Sequence, residues 1–268
     1  MSAFRPVGVL DSGVGGLSLL RDIRRELPHE DLLYVADSAY APYGDRSTAW
    51  IARRSARIIE FLVEQGCKAV VIACNTITAV AVGALREAFD VPIIAIEPAI
   101  KPAVALTRSG VIAVMATSRT LQSDSLHRLR RRHEAGVEVL FVPCPGLADR
   151  VEAIDLDSAE LHTQLHALLS PALRKGADTL VLGCTHYPFL IDSIARVAGA
   201  GVRIVDPSPA VAAEVRRRLH EQGLLRSRVE LGIDSVWTSA ATDQARDTIG
   251  ALLDQRLEVR QLPPLGRD

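Results

Sequence analysis

The chain has 268 residues, 48% of them hydrophobic and 24% charged, with a formal net charge of −1. That length suits one large domain or two of ordinary size, and the near-neutral balance gives no electrostatic reason to expect a nucleic acid partner. No apolar run approaches the ~18 residues of a membrane span, and the opening MSAFRPVGVLDSG lacks a basic stretch leading into a long apolar one, so neither a membrane nor a signal peptide is expected and the location is read as cytoplasmic.

Short runs rich in Val, Ile and Leu alternate with helix-length amphipathic segments. PVGVL (6–10) precedes GGLSLLRDIRREL (15–27), and DLLYVAD (31–37) precedes the helical TAWIARRSARIIEFLVEQG (48–66). AVVIAC (69–74) is followed by TAVAVGALREAF (78–89) and PIIAI (92–96). The pattern resumes with GVIAVMAT (110–117), VEVLFVPC (137–144), TLVLGC (179–184) and VRIVDPSP (202–209). Continuous apolar strands alternating with helices predict an α/β fold with parallel sheets covered on both faces. The basic run HRLRRRH (127–133), with RRRL (216–219) behind it, reads as solvated helix face.

A repeat runs through this pattern. GCKAVVIACNT (66–76) aligns without gaps on GADTLVLGCTH (176–186), an offset of 184 − 74 = 110 residues. VGVLDSG (7–13) likewise resembles IAVMATS (112–118). Two similar parallel-sheet α/β domains related by a pseudo-twofold axis are expected, residues 1–97 plus about 209–268 forming the first and 98–208 the second. Ligands bind at the carboxyl ends of strands in such sheets, where Asp11, Cys74, Thr117 and Cys184 fall. Strand ends facing each other would put Cys74 and Cys184 on opposite sides of one small ligand in the cleft between the domains.

The four cysteines, Cys67, Cys74, Cys144 and Cys184, include no C-x-x-C pair, so no metal site is expected, and a chain of this length without a secretory signal is read as holding free thiols. Two opposed thiols suit proton transfer across a carbon centre: one thiolate removes a proton from one face and the other thiol delivers a proton to the opposite face. A free thiol has a pKa of ~8.5, and both cysteines stand at predicted helix N-termini, which favour an anion. His186 can share a proton with Cys184, and Asp11 can do so opposite Cys74. Asn75-Thr76 and Thr185-His186 offer donors for a carboxylate. APYG (41–44) predicts a turn bringing Tyr43 and its neighbouring N–H groups over the cleft, and Asp11 with Ser12 can accept from an ammonium group. The set suits an amino acid with a second carboxylate.

Plainer readings exist for each residue taken alone. A strand-terminal cysteine is commonly a buried apolar filler, Asp11 could be a helix N-cap, His186 a structural histidine, and Glu152 a solvated helix glutamate. DSGVGGLS (11–18) raises dinucleotide binding: Gly13 and Gly15 fit the first positions of G-x-G-x-x-G, Ser18 replaces the third glycine, and Asp37 ends the next strand where a ribose-binding acid belongs. That reading leaves the duplicated cysteine unexplained.

GVLDSGVGGLSLL, YVADSAYAPYGDRS, VIACNTITA, VPIIAIEPA and LVLGCTHYPFL, in that order over nearly the whole chain, resemble the glutamate racemases of the cofactor-independent aspartate/glutamate racemase superfamily. The resemblance implies interconversion of L- and D-glutamate without a cofactor, supplying D-glutamate for peptidoglycan, by a homodimer in the bacterial cytoplasm. It implies that Cys74 deprotonates D-glutamate and Cys184 L-glutamate, with Asp11 assisting the first and Glu152 and His186 the second. Asp11-Ser12, Tyr43-Gly44, Asn75-Thr76, Thr185-His186, Thr117 and Thr120 would hold the substrate. The middle motif departs from the family pattern, with Ala116 where glycine is expected and His127 where tyrosine is common, and VPCPGLADRVE around Glu152 matches loosely. A racemase of aspartate or another acidic compound shares the same logic, and a non-enzymatic regulatory binder would not need the thiols.

Overall fold

The structure, a computed structural model, describes residues 2–134, 136–227 and 229–266. Its strands are β1 (Val7–Asp11), β2 (Leu32–Ala36), β3 (Ala69–Ile72), β4 (Ile93–Ala95), β5 (Val111–Ala116), β6 (Glu138–Pro143), β7 (Thr179–Leu182), β8 (Arg203–Val205), β9 (Asp234–Thr238) and β10 (Glu258–Gln261). They form two sheets, ordered β10-β9-β2-β1-β3-β4 and β6-β5-β7-β8. Every pairing is parallel, as the helix between most successive strands requires.

The second sheet repeats the order of four adjacent strands of the first: second, first, third, fourth. β9 and β10 extend the first sheet beside β2, with Tyr34 opposite Val236 and Trp237 opposite Arg260. The 110-residue offset is thus a repeat of whole βα units, and β3 and β7 occupy equivalent central positions. β3 is apolar along its length, β7 is apolar after Thr179, and both are buried throughout, which is why their sequences do not alternate.

Helices cover both faces. Helix Leu17–Glu26 buries Leu17, Leu19, Leu20 and Ile23, each contributing about 1.5–3 kcal/mol relative to exposure. It packs against helix Ser208–Glu221, which follows β8 and leads the chain back toward the first sheet. Helix Thr48–Glu64 is capped by Ser47, whose hydroxyl accepts from the Trp50 N–H, and it turns Ile51, Ile58, Ile59 and Leu62 inward. No helix among the described residues is long and apolar enough to cross a membrane.

One local expectation is corrected. Cys74 stands at the N-cap of helix Asn75–Ala88, as its position predicts. Cys184 does not open an α-helix: a turn of 3₁₀ helix, Tyr187–Leu190, intervenes before helix Ile191–Ala198. Pro188 lacks an N–H and disfavours αR at the residue before it, and the chain instead closes i→i+3 bonds, Tyr187 N–H to Cys184 O at 3.1 Å and Phe189 N–H to His186 O at 3.2 Å. The repeat therefore supplies a regular helix start to one thiol only.

Candidate active site

The order reversal at β2-β1-β3 and at β6-β5-β7 leaves a crevice beyond the carboxyl ends of the central strands in each sheet. The two crevices face each other. Thr185 Oγ1 donates to Asp11 Oδ2 at 3.2 Å, the Val14 N–H donates to Glu152 Oε1 at 2.8 Å, and Thr76 Oγ1 lies 3.1 Å from Thr117 Oγ1 and 3.4 Å from Thr120 Oγ1. Ser18, at the position of the missing third glycine, donates to the carbonyls of Gly15 and Thr185, each at 2.9 Å.

On one side lie Asp11, Ser12 and Cys74. The Cys74 thiol donates to Ser12 Oγ at 3.5 Å, and Ser12 Oγ donates to Asp11 Oδ1 at 3.4 Å, so a hydroxyl links sulfur to carboxyl. Asp11 is fully buried and accepts backbone N–H bonds from Ser12, at 2.8 Å, and from Gly16. Burial pushes its pKa up, against the opposing pull of His186 and of the two N–H donors. Burial, reinforced by the Asp11 charge, also raises Cys74 well above an ordinary thiol.

On the other side, Cys184 Sγ lies 3.6 Å from His186 Nδ1, and His186 Nε2 lies 2.8 Å from Glu152 Oε1. Burial opposes charge on the imidazole, but the hydrogen bonds to Cys184 and Glu152 outweigh it and lift the pKa well above the usual histidine value. His186 thus keeps a proton beside the Cys184 sulfur. Glu152, 24% exposed, borders a cavity of about 420 Å³ that Val14, Ser38 and Gln244 also line. The two thiols are close enough for charge on Cys184 to raise Cys74 further.

Asn75 is 3% exposed, and neither its amide nitrogen nor its oxygen has a hydrogen-bond partner among the described residues. The large majority of buried side-chain polar atoms are hydrogen-bonded in folded proteins, so two open positions at the mouth of a helix beside Cys74 suit a polar ligand. Tyr43 differs from its expected part. Its hydroxyl donates to Asp37, inside a buried ion pair in which Arg54 grips both Asp37 oxygens at 2.7 and 2.8 Å. What remains over the cleft is the backbone at Gly44, where an added Cβ would lie 3.2 Å from Thr117 Cβ.

The same contacts remove the dinucleotide reading. Asp37 is fully buried against Arg54 and Tyr43, so it cannot meet a ribose. The glycines of DSGVGGLS admit side chains of the facing sheet, leaving no room for a pyrophosphate. A Cβ on Gly13 would sit 1.9 Å from Glu152 Oε1, and one on Gly15 2.3 Å from His186 Nδ1. The sequence reading missed this role, because the partners lie more than a hundred residues away. Gly15→Ala is expected to displace the buried His186 ring, destabilising the fold by about 1–3 kcal/mol and lowering turnover about 10²-fold or more. Chemical denaturation and a turnover assay on the same preparation check it, and wild-type turnover would remove His186 from the working site.

Residues 7–215 match the Asp/Glu/hydantoin racemase family. The chain belongs to that family. This racemase is 48% identical over 258 residues to the glutamate racemase of Methylococcus capsulatus, covering 96% of its own length and 95% of the relative's. It is 48% identical over 239 residues to that of Pseudomonas aeruginosa PAO1, covering 89% and 90% of the two chains. Among solved structures it superposes on glutamate racemase RacE1 of Bacillus anthracis with a TM-score of 0.90 at 32% identity, covering 98% and 99% of the chains. The Francisella tularensis glutamate racemase, solved in complex with D-glutamate, gives a TM-score of 0.86 at 30% identity, covering 98% of both. The fold is that of two facing parallel-sheet α/β units, and the chain is an amino-acid racemase by descent.

Proposed function

We propose that this racemase interconverts L- and D-glutamate by proton transfer between Cys74 and Cys184, supplying D-glutamate for peptidoglycan. The observation that carries the mechanism is the pair of facing relays, Cys74–Ser12–Asp11 and Cys184–His186–Glu152, each joining a buried thiol to a carboxyl through one intermediate group. Glutamate as the substrate rests on the relatives, which share close to half of their residues with the chain over almost its whole length.

In the L-to-D direction Cys184 takes the α-proton, forming an S–H bond as the C–H bond breaks. The Cys74 thiol then gives its proton to the opposite face, and the electron pair left on carbon becomes the new C–H bond. His186, protonated beside Cys184, holds the sulfur's negative charge before the step. Burial keeps Cys74 as a thiol, the form needed to deliver a proton. One turnover leaves the two sulfurs in exchanged protonation states. The relays restore them: Ser12 can pass a proton between Cys74 and Asp11, and His186 between Cys184 and Glu152.

For the substrate, the open amide of Asn75 and the N–H groups following Cys74 suit one carboxylate, with Thr76, Thr117 and Thr120 forming a hydroxyl cluster beside it. Thr185 and the Gly44 backbone complete the enclosure, and Asp11 with Ser12 faces the ammonium. The proposal includes the division into residues 1–97 plus about 209–268 and residues 98–208, supported by the sheet to which each strand belongs, and a cytoplasmic homodimer, supported by the family resemblance alone.

The test is to incubate the purified protein with D-glutamate in D₂O under reducing conditions with nothing else added. The circular dichroism of the amino acid should decay to zero while its α-proton signal disappears from the NMR spectrum. An unchanged signal with glutamate, and racemisation of aspartate in its place, would reassign the substrate.

A further inference from the structure

We propose that Arg119 and Arg128 form an anion-collecting vestibule at the edge of the site, where the carboxylates of an incoming dicarboxylate such as glutamate gather before it enters. The assignment rests on the reading of the substrate as a small anion and goes beyond the residues given to its site.

A cavity of about 360 Å³ opens between helices of the two sheets. Thr48, Ala79 and Val80 line it from helices Thr48–Glu64 and Asn75–Ala88, and Arg119, Gln122 and Arg128 from the segment that follows β5. It borders the proposed substrate enclosure. Ala79 and Val80 lie on the helix that Cys74 caps, and Arg119 precedes Thr120, whose hydroxyl meets those of Thr76 and Thr117 at 3.4 and 3.0 Å.

Neither guanidinium makes a hydrogen bond or an ion pair among the described residues, and the Arg119 Nε is buried without a partner. A buried donor left open costs free energy that an incoming acceptor would recover. Other arginines nearby are satisfied from within. Arg130, in the same basic run as Arg128, donates to Glu134 and lies over the Phe141 ring, and Arg54 grips Asp37. A solvated helix face accounts for the exposed Arg131 and Arg132, whereas Arg128 joins Arg119 at the cavity. One carboxyl group, that of Asp124, lines it against the two guanidinium groups.

The cavity beside Glu152 has the opposite character. Asp149 and Glu152 line it, and no basic side chain among the described residues does. A molecule with two carboxylates and one ammonium is drawn toward the paired arginines and repelled from the paired acids. A guanidinium also offers a carboxylate two parallel donors, which suits it to hold such a group in passing.

The experiment compares two alkylating agents of similar size, the anion iodoacetate and the neutral iodoacetamide. Their rates at Cys74 and Cys184 are followed by peptide mass spectrometry in the unaltered protein, Arg119→Gln, Arg128→Gln, the double variant and Asp149→Asn. At low ionic strength the iodoacetate-to-iodoacetamide ratio should fall about tenfold in the double variant and about threefold in each single one, the lower end of what a charge-lined cleft gives. The gap should close as salt rises past ~0.15 M, where the screening length is ~8 Å. Arg128 is exposed, so its variant carries the test even if Arg119→Gln fails to fold. With glutamate, kcat/KM should fall by the same factor through KM, with kcat held. An unchanged ratio, a change indifferent to salt, or equal slowing of both reagents would each overturn the assignment. A rise in Asp149→Asn larger than the fall in the double variant would also overturn it, by placing anion entry at the other cavity. Alkylation requires no turnover, so an altered ratio without racemisation of glutamate would keep the vestibule and sink the substrate reading alone.

Discussion

Cys74→Ser and Cys184→Ser are each expected to lower racemisation by about 10²–10⁴-fold or more, the contribution of a positioned acid or base. A hydroxyl is a far weaker acid than a thiol, and neither face of the α-carbon can be served by the group on the other. Each thiol is buried, 4% exposed for Cys74 and 8% for Cys184, so water has little access to take its place. Serine is close in size to cysteine. At position 74 its hydroxyl retains Ser12 as a partner, and at position 184 it retains His186. Thermal midpoints should therefore stay within a few degrees of the unaltered protein, so that loss of turnover reports chemistry. Measuring optical decay from both enantiomers and the thermal midpoint together checks this. Full turnover in either variant would sink the two-base assignment.

The two halves of that mechanism were unequally legible in the sequence. The alternation of apolar runs and amphipathic segments gave the sheets, and the gapless match of residues 66–76 with 176–186 placed Cys74 and Cys184 at equivalent strand ends. Strand period and repeat offset are local properties, visible in a window of a dozen residues. The contacts that organise the site are not local. Glu152 meets the Val14 N–H across 138 positions, and Thr185 meets Asp11 across 174. Their geometry exists only once the two sheets face each other. For the same reason Gly13 and Gly15 read as a nucleotide loop in one dimension and as clearance for Glu152 and His186 in three. The break after Cys184 was within reach of the sequence, because Pro188 and the exchange of Ile77 for Tyr187 both lie immediately beyond the aligned stretch.

The buried ion pair behind Tyr43 carries the largest expected effect on stability. Arg54 and Asp37 are almost wholly enclosed, with side-chain exposures of 5% and 0%, and the guanidinium also lies over the Tyr40 ring at 4.2 Å. Arg54→Met removes the cation and leaves a buried carboxylate whose one remaining side-chain donor among the described residues is the Tyr43 hydroxyl. Breaking such a pair from one side destabilises by about 3–5 kcal/mol, whereas the same pair on a surface contributes ~0–1 kcal/mol. The double change Asp37→Asn with Arg54→Met removes both charges and should recover part of the loss, a coupling that a double-mutant cycle reads directly. Urea midpoints at unchanged slope provide the measurement. The effect should also reach the site: Asp37 anchors Tyr43, whose edge packs on the Trp50 ring at 5.1 Å and whose neighbour Gly44 lies against Thr117. A loosened Tyr43-Gly44 turn is expected to raise KM for glutamate more than it lowers kcat, because its proposed part is to enclose the substrate and not to transfer protons. A destabilisation under about 1 kcal/mol would show that the pair behaves as a solvated bridge, and a fall in kcat at constant KM would place Tyr43 closer to the chemistry than this geometry allows.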